Sequence, residues 1–207
     1  MKINDILDLL DEMIPNPKCE LDYNKDYELL IATVLSAQCT DKRVNEVTKV
    51  LFKKYDIFSL CDANNKDIEK IIYSCGNYKK KANYIIELSK KLVRDYNGVV
   101  PNDREYLENL PGVGRKTTNV VLSNLFNVPA IAVDTHVERV SKRLKLSKEN
   151  ANVLEVEHSL QKKIPKDKWV RTHHELVLFG RYYCKAIKPS CENCKLTNIC
   201  KYKEKTR

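Results

Sequence analysis

Apolar residues along this chain recur at intervals of three and four and almost nowhere alternate, which is the pattern of helices that bury one face. Residues 2–14 form one such segment, stopped by Pro15 and Pro17. Residues 26–39 carry Leu29, Leu30, Val34 and Leu35 at helical spacing. Asp41 suits a cap for the next segment, in which Val44, Val47, Val50 and Leu51 continue the pattern. Further helices are expected at about 65–74, 79–96 and 102–109, separated by Cys75-Gly76-Asn77 and Asn97-Gly98. The periodicity resumes near 115–126, 135–144, 150–163 and 167–183. Ile131-Ala132-Val133 has strand character, but it is short and has no partner of matching pattern. The chain therefore reads as all-α.

A length of 207 residues accommodates one large domain or two small lobes with buried cores. No run of about 18 apolar residues occurs, so no membrane span is expected. Acids interrupt the first ten residues, which lack the apolar centre of a secretory signal, and a cytoplasmic protein is expected. The net charge of +9 favours polyanionic partners such as nucleic acid.

Against this helical background one stretch stands out, Leu110-Pro-Gly-Val-Gly-Arg-Lys-Thr-Thr-Asn119. It holds two of the five glycines in the chain, Gly112 and Gly114. Pro111 fixes the start of a turn, and glycine supplies the backbone freedom to complete it. Such a turn feeding a helix leaves N–H groups pointing outward, which suits a phosphate. Arg115 and Lys116 stand beside that anion site. An ordinary helical connection with a solvated basic pair would carry the same short motif.

The eight cysteines fall into two groups. Cys19, Cys39, Cys61 and Cys75 are scattered and read as small hydrophobes. Cys184, Cys191, Cys194 and Cys200 form Cys-x6-Cys-x2-Cys-x5-Cys within 17 residues. Four thiols so spaced, in a chain without secretory features, point to one metal centre in preference to disulfides. Tetrahedral zinc and an iron–sulfur cluster both take four thiolates, so the chemistry alone leaves the choice open. From Cys184 onward there are seven Lys or Arg against two Glu, +5 of the total +9.

Leu110-Pro-Gly-Val-Gly-Arg-Lys-Thr117, Val133-Asp-Thr-His136 and the four-cysteine spacing together resemble the endonuclease III family, base-excision DNA glycosylases with AP-lyase activity. Leu35-Ser-Ala-Gln-Cys-Thr-Asp41 and the segment from His173-His174 to Gly180-Arg-Tyr182 match the same pattern, in the same order. The resemblance implies two helical lobes flanking a groove for damaged double-stranded DNA, and a monomer. One lobe would be a six-helix bundle at 20–128 with a helix–hairpin–helix motif at about 104–123. The other would join residues 1–19 to 129–207 around a 4Fe–4S cluster. It further implies Lys116 as nucleophile and Asp134 as catalytic carboxylate, with Cys184, Cys191, Cys194 and Cys200 as cluster ligands. Gly112, Val113 and Gly114 would offer amides to the backbone near the lesion, and Gln38 would fill the space left by the extruded nucleotide. The turn Cys75-Gly-Asn-Tyr78 departs from the family, which commonly places a larger apolar wedge where Asn77 stands.

The implied chemistry is physically coherent. Extruding a base costs a few kcal/mol, which contacts to the strand must offset. Repair at any sequence calls for a grip on phosphates without reading base edges. The hairpin, Arg115 and the Lys-rich segment with Lys185 and Lys188 suit that grip. A lysine nucleophile must first lose its proton, which the positive end of a helix favours slightly and desolvation favours more. Asp134 suits stabilisation of positive charge on the sugar, and it equally suits a helix cap; Thr135-x-x-Glu138 is a second capping pattern. His136 reads as structural, while Glu108, Ser36 and Asp41 are candidates to line a base pocket. The removed bases are expected to be oxidised pyrimidines, with nicking 3′ to the abasic site by β-elimination. Two rivals remain at this point. A monofunctional adenine glycosylase would lack the lysine at position 116 and would usually carry an additional C-terminal domain. A non-catalytic DNA-binding module with structural zinc would leave Lys116 and Asp134 without a role.

Overall fold

The computed structural model describes residues 2–205, and its regular elements are helices, with no strand among the described residues. The chain divides into two compact units, Glu20–Phe126 and Met1–Cys19 with Asn127–Arg207.

The first unit is built on α2 (Asp26–Ser36), in which every residue from Tyr27 to Leu35 is buried. A helix apolar on all sides sits in the middle of a bundle. Around it lie α3 (Asp41–Lys54), α4 (Ile57–Cys61), α5 (Asn65–Ile72), α6 (Tyr78–Tyr96), α7 (Arg104–Glu108) and α8 (Arg115–Phe126). Helices α3, α6 and α8 pack directly on α2. Helix α4 is too short for periodicity to reveal, with only Ile57 and Leu60 buried, and it is started by Asp56 through a bond from the Ser59 N–H. Helix α2 ends three residues sooner than its apolar spacing suggests. The Lys81 ammonium reaches its end and donates to the carbonyls of Leu35 and Ala37 at 2.9 and 2.6 Å. Those bonds satisfy orphan carbonyls of a helix terminus inside the unit.

The second unit comprises α1 (Ile3–Met13), α9 (Thr135–Arg143), α10 (Val153–Lys163) and α11 (Trp169–Tyr182), the last preceded by a single 3₁₀ turn at Lys166–Lys168. Its core joins Ile6, Leu7 and Leu10 to Val137, Val140, Leu176 and Phe179. Ile131 and Val133 are buried in that core as extended chain without a partner strand. Helix α10 starts later than its spacing suggests because Asn152 and Glu155 form a reciprocal capping box. Helices α9 and α11 touch at Gly180, where a β-carbon would lie 2.9 Å from that of His136. His173 and His174 are buried on α11, their rings 4.9 Å apart. Burial holds His174 neutral, its pKa pushed down to about 4.

Where α1 meets α11, Arg171 pairs with both Asp11 and Glu175. Burial, together with the hydrogen bond to the Asp11 carboxylate, raises the Glu175 pKa from 4.5 to about 8. The folded protein thus keeps a proton that the unfolded chain releases above about pH 4.5. The associated stability is complete below that pH and is lost as pH rises through about 8. Glu175→Gln retains a donor toward Asp11 and removes the titration. Thermal melts should show wild-type stability falling between about pH 5 and 8 and the variant's falling less; parallel curves would place the dependence on other groups.

Candidate functional site

In the first unit the hairpin is assembled by contacts on both flanks. Helix α7 starts at Asp103, whose carboxylate accepts the Tyr106 N–H, and Arg104 ties it to α8 through the Asn119 side-chain oxygen at 2.8 Å. Between the helices Gly112 has φ +77°, and a β-carbon there would sit 2.5 Å from Cδ2 of Tyr84. The same ring is in contact with Lys80, whose Nζ lies 5.6 Å from its centroid. Gly114 faces open space and its carbonyl accepts the first bond of α8, from the Thr118 N–H at 3.0 Å.

Not all three hairpin amides are available. The Val113 N–H donates to the Leu110 carbonyl at 3.1 Å and its side chain is buried, so Val113 closes the turn and offers no amide to a ligand. The N–H groups of Gly112 and Gly114 have no acceptor among the described residues. Two amides and the start of α8 are therefore what the hairpin presents to an anion.

Arg115 and Lys116 are exposed in the first turn of α8. The Lys116 ammonium makes no hydrogen bond or ion pair among the described residues. Glu108 is engaged with Arg104 at 2.9 Å, and the Ser36 hydroxyl donates to the Thr33 carbonyl at 2.8 Å. Asp41 opens α3 and is half-buried.

Gln38, Asn77 and Gly112, far apart in sequence, line one open hollow of about 560 Å³, space open to solvent included, with Lys80, Lys81 and Tyr84. Gln38 and Asn77 both have a left-handed backbone at φ 57°, and Asn77 Nδ2 donates to Gln38 Oε1 at 3.2 Å. Where the family commonly places an apolar wedge, this chain has an amide bonded to the neighbouring amide. Sequence reasoning missed Lys81 and Tyr84, which support this hollow. A lysine flanked by Lys79, Lys80 and Ala82 carries no sign that it is buried.

In the second unit Asp134 is the cap of α9. One oxygen, Oδ1, accepts the N–H groups of His136 and Val137 at 2.9 and 2.8 Å. Oδ2 accepts no hydrogen bond among the described residues. The alternative capping pattern from Thr135 is not used, because Glu138 pairs with Lys142 at 2.6 Å. His136 is half-buried, its Nδ1 3.2 Å from Nη2 of Arg139, and burial followed by the nearby Arg139 and Arg181 keeps its pKa low.

Cys184, Cys191, Cys194 and Cys200 line one pocket of about 380 Å³, space open to solvent included, together with Leu144, Phe179 and Leu196. Among the described residues no group of three or more His, Cys, Asp or Glu side chains is close enough to hold a single metal ion. The four cysteines thus share one pocket lining without forming a single-ion site. Burial pushes the Cys194 thiol up to about 11 and raises Cys184 as well, against the pull of Arg143. Arg143 fastens the loop to α9, donating to Cys184 Sγ at 3.3 Å and to the carbonyls of Lys185 and Ala186 at 2.6 and 3.0 Å. Its guanidinium also lies 4.1 Å from the Tyr202 ring centroid. Arg139 adds bonds to the carbonyls of Cys184 and Gly180. Lys185 and Lys188 are exposed on this loop.

Two substitutions separate the roles of the glycines. Gly112→Ala should cost about 1–3 kcal/mol of stability, because it combines positive φ with a clash against Tyr84. Gly114→Ala should leave the melting temperature within a degree or two, about the spread expected for an unobstructed site. Equal melting temperatures for the two variants would refute the packing account.

Comparison with known proteins agrees with this geometry. A family profile described as HhH-GPD superfamily base excision DNA repair protein matches residues 31–166. Endonuclease III of Bacillus subtilis (strain 168) is 50% identical over 203 residues, covering 96% of this chain and 91% of that protein. The solved structure of a trapped endonuclease III–DNA covalent intermediate, an estranged-adenine complex, has a TM-score of 0.92 and 52% identity, covering 96% of this chain and 94% of that one. A non-covalent endonuclease III–DNA complex gives the same values. Among the described residues no helix is long and apolar enough to cross a membrane.

Proposed function

Because the chain belongs to the endonuclease III family of HhH-GPD base excision DNA repair proteins, and is accordingly a DNA glycosylase, we propose that Lys116 is its nucleophile and Asp134 its catalytic carboxylate. The observation that carries this reading is the uncommitted Lys116 ammonium, placed just beyond two hairpin amides that have no acceptor among the described residues. Those amides are suited to a phosphate, and a lysine so placed lies within a side chain's length of that nucleotide's sugar. A similar protein trapped covalently on DNA supports a nucleophilic mechanism.

The steps follow from the groups present. The Lys116 amine attacks the sugar C1′, the bond to the damaged base breaks, and the base leaves with a proton. The nitrogen then forms an imine with the opened sugar. Loss of a C2′ proton expels the 3′ phosphate by β-elimination and nicks the strand. Asp134 Oδ2 serves the positive charge that develops on the sugar, while Oδ1 stays anchored to the α9 amides. Damaged double-stranded DNA is the partner, with oxidised pyrimidines as the substrate class. Gln38 occupies the space of the extruded nucleotide, and Arg115, Lys185 and Lys188 contact phosphates.

Cys184, Cys191, Cys194 and Cys200 are proposed to hold a 4Fe–4S cluster. A pocket lined by all four cysteines, whose thiolates are the ligand type such a group takes, supports this reading. Bound there, the cluster supplies cross-links that order the C-terminal loop. Cys194→Ser should lower bound iron and the melting temperature together; full iron content with unchanged melting would assign the ligands elsewhere.

Borohydride added during reaction with duplex carrying an oxidised pyrimidine or an abasic site should trap a protein–DNA adduct. Lys116→Gln should abolish trapping and nicking and largely keep abasic-site binding, since the hairpin amides are untouched. Asp134→Asn should slow base release by about a hundredfold or more at similar affinity. Efficient trapping by Lys116→Gln would move the nucleophile to another residue.

A further inference from the structure

Two cysteines outside the C-terminal group, 36 positions apart, meet in the first unit. The Cys39 thiol donates to Cys75 Sγ at 3.8 Å. Both are free, Cys39 half-buried and Cys75 fully buried. Cys39 directly follows Gln38, and Cys75 lies two residues before Asn77. The sulfurs therefore sit beside the two left-handed turns whose tips join through the Asn77–Gln38 amide bond. Each cysteine is anchored by its own backbone, Cys39 N–H to the Ser36 carbonyl at 3.1 Å and Cys75 N–H to the Ile72 carbonyl at 2.9 Å. Burial and the adjacent Cys39 push the Cys75 thiol up to about 11, with Lys81 and Arg43 pulling the other way.

We propose that Cys39 and Cys75 are an oxidation site: hydrogen peroxide converts them to a reversible disulfide that pins the Gln38 and Asn77 turns together and weakens the grip on damaged DNA. The sulfurs need to close by about 1.8 Å to reach a bond near 2.05 Å. Cys39, the more accessible thiol, attacks one peroxide oxygen as thiolate. The O–O bond breaks, leaving a sulfenic acid on Cys39 and a hydroxide that takes the released proton to become water. The Cys75 sulfur then attacks the Cys39 sulfur and expels hydroxide, which takes the Cys75 thiol proton to become water. Two thiols are oxidised and one peroxide is reduced to two waters. The closure draws on backbone that carries Gln38 and Asn77, so these tips lose the freedom to part when a duplex enters.

The formation of the bond stands independently of the function proposed above, whereas its consequence for DNA rests on that reading. The protein, with its reductant removed, is exposed to graded hydrogen peroxide while its visible absorbance is followed. Peptide mapping under thiol-blocking conditions should then find Cys39 linked to Cys75. Over the same doses affinity for abasic-site duplex should fall about tenfold or more, as displaced positioning groups predict, and dithiothreitol should restore it. Cys39→Ala should keep its affinity through the same exposure and yield no linked peptide. Cys75→Ala should do likewise, and Cys39→Ala suffices if the buried substitution does not fold. No linked peptide at any dose, a linked peptide with unchanged affinity, or equal loss in Cys39→Ala would each overturn the proposal. A reduced wild type that fails to nick abasic-site duplex would instead refute the proposed function, and the linked peptide alone would then decide whether the thiols form the bond.

Discussion

The contact between Gly112 and the Tyr84 ring is the constraint on which the first unit's candidate machinery depends. A turn this tight leaves no space for a β-carbon at Gly112, and within it the Gly112 and Gly114 amides have no acceptor among the described residues while Val113 closes the loop. Tyr84 belongs to α6, and α6 makes the other two connections as well. Its first turn begins at Asn77, and its buried Lys81 holds the end of α2 just before Gln38. One helix thus sets the hairpin, the α2 terminus and the Asn77 turn with respect to one another. Rigid elements position such groups better than loops alone do.

The second unit uses α9 in a comparable way. Its N-terminus holds Asp134 by two amides, and its later turns carry Arg139 and Arg143, which bind carbonyls of the loop from Cys184 to Ala186. That loop has few apolar residues of its own, and Ile187 is largely exposed. Guanidinium bonds to its carbonyls therefore do much of the ordering that apolar burial does elsewhere. Arginine suits the task because its planar fork satisfies several carbonyls at once. The positive charge also lies beside Cys184 Sγ, where it favours a thiolate.

Much of this is legible in the sequence, and the omissions have physical causes. The longer helices announce themselves by spacing, because each buries a continuous stripe. The five-residue α4 does not, since two buried positions form no period. The glycine hairpin, Asp134 and the four clustered cysteines are local patterns and can be read directly. Lys81, Tyr84, Arg139 and Arg143 act across 28 to 59 positions, and no local spacing encodes such bonds. The same distance hides the meeting of Cys39 and Cys75, which read as scattered small hydrophobes until the fold places them together. Val113 departs from expectation for a different reason. The sequence marks where a turn occurs, but which of its amides is spent inside the turn depends on its dihedral angles.

The turns at Gln38 and Asn77 also show where strain is kept. Asparagine tolerates the left-handed region comparatively well; glutamine has no such local compensation, and its placement there costs about 1–2 kcal/mol. Such a residue persists only where its surroundings over-determine it. Here Lys81 fixes the carbonyl of Ala37, the residue immediately before Gln38, and the Asn77 amide holds the side chain from the other side. Lys81 is itself buried, and desolvation lowers its pKa, so the protein tolerates a costly cation in order to hold one turn. The strained exposed turn and the buried charge that maintains it therefore belong together: the bonds from Lys81 hold the end of α2, and the chain turns sharply at the next residue.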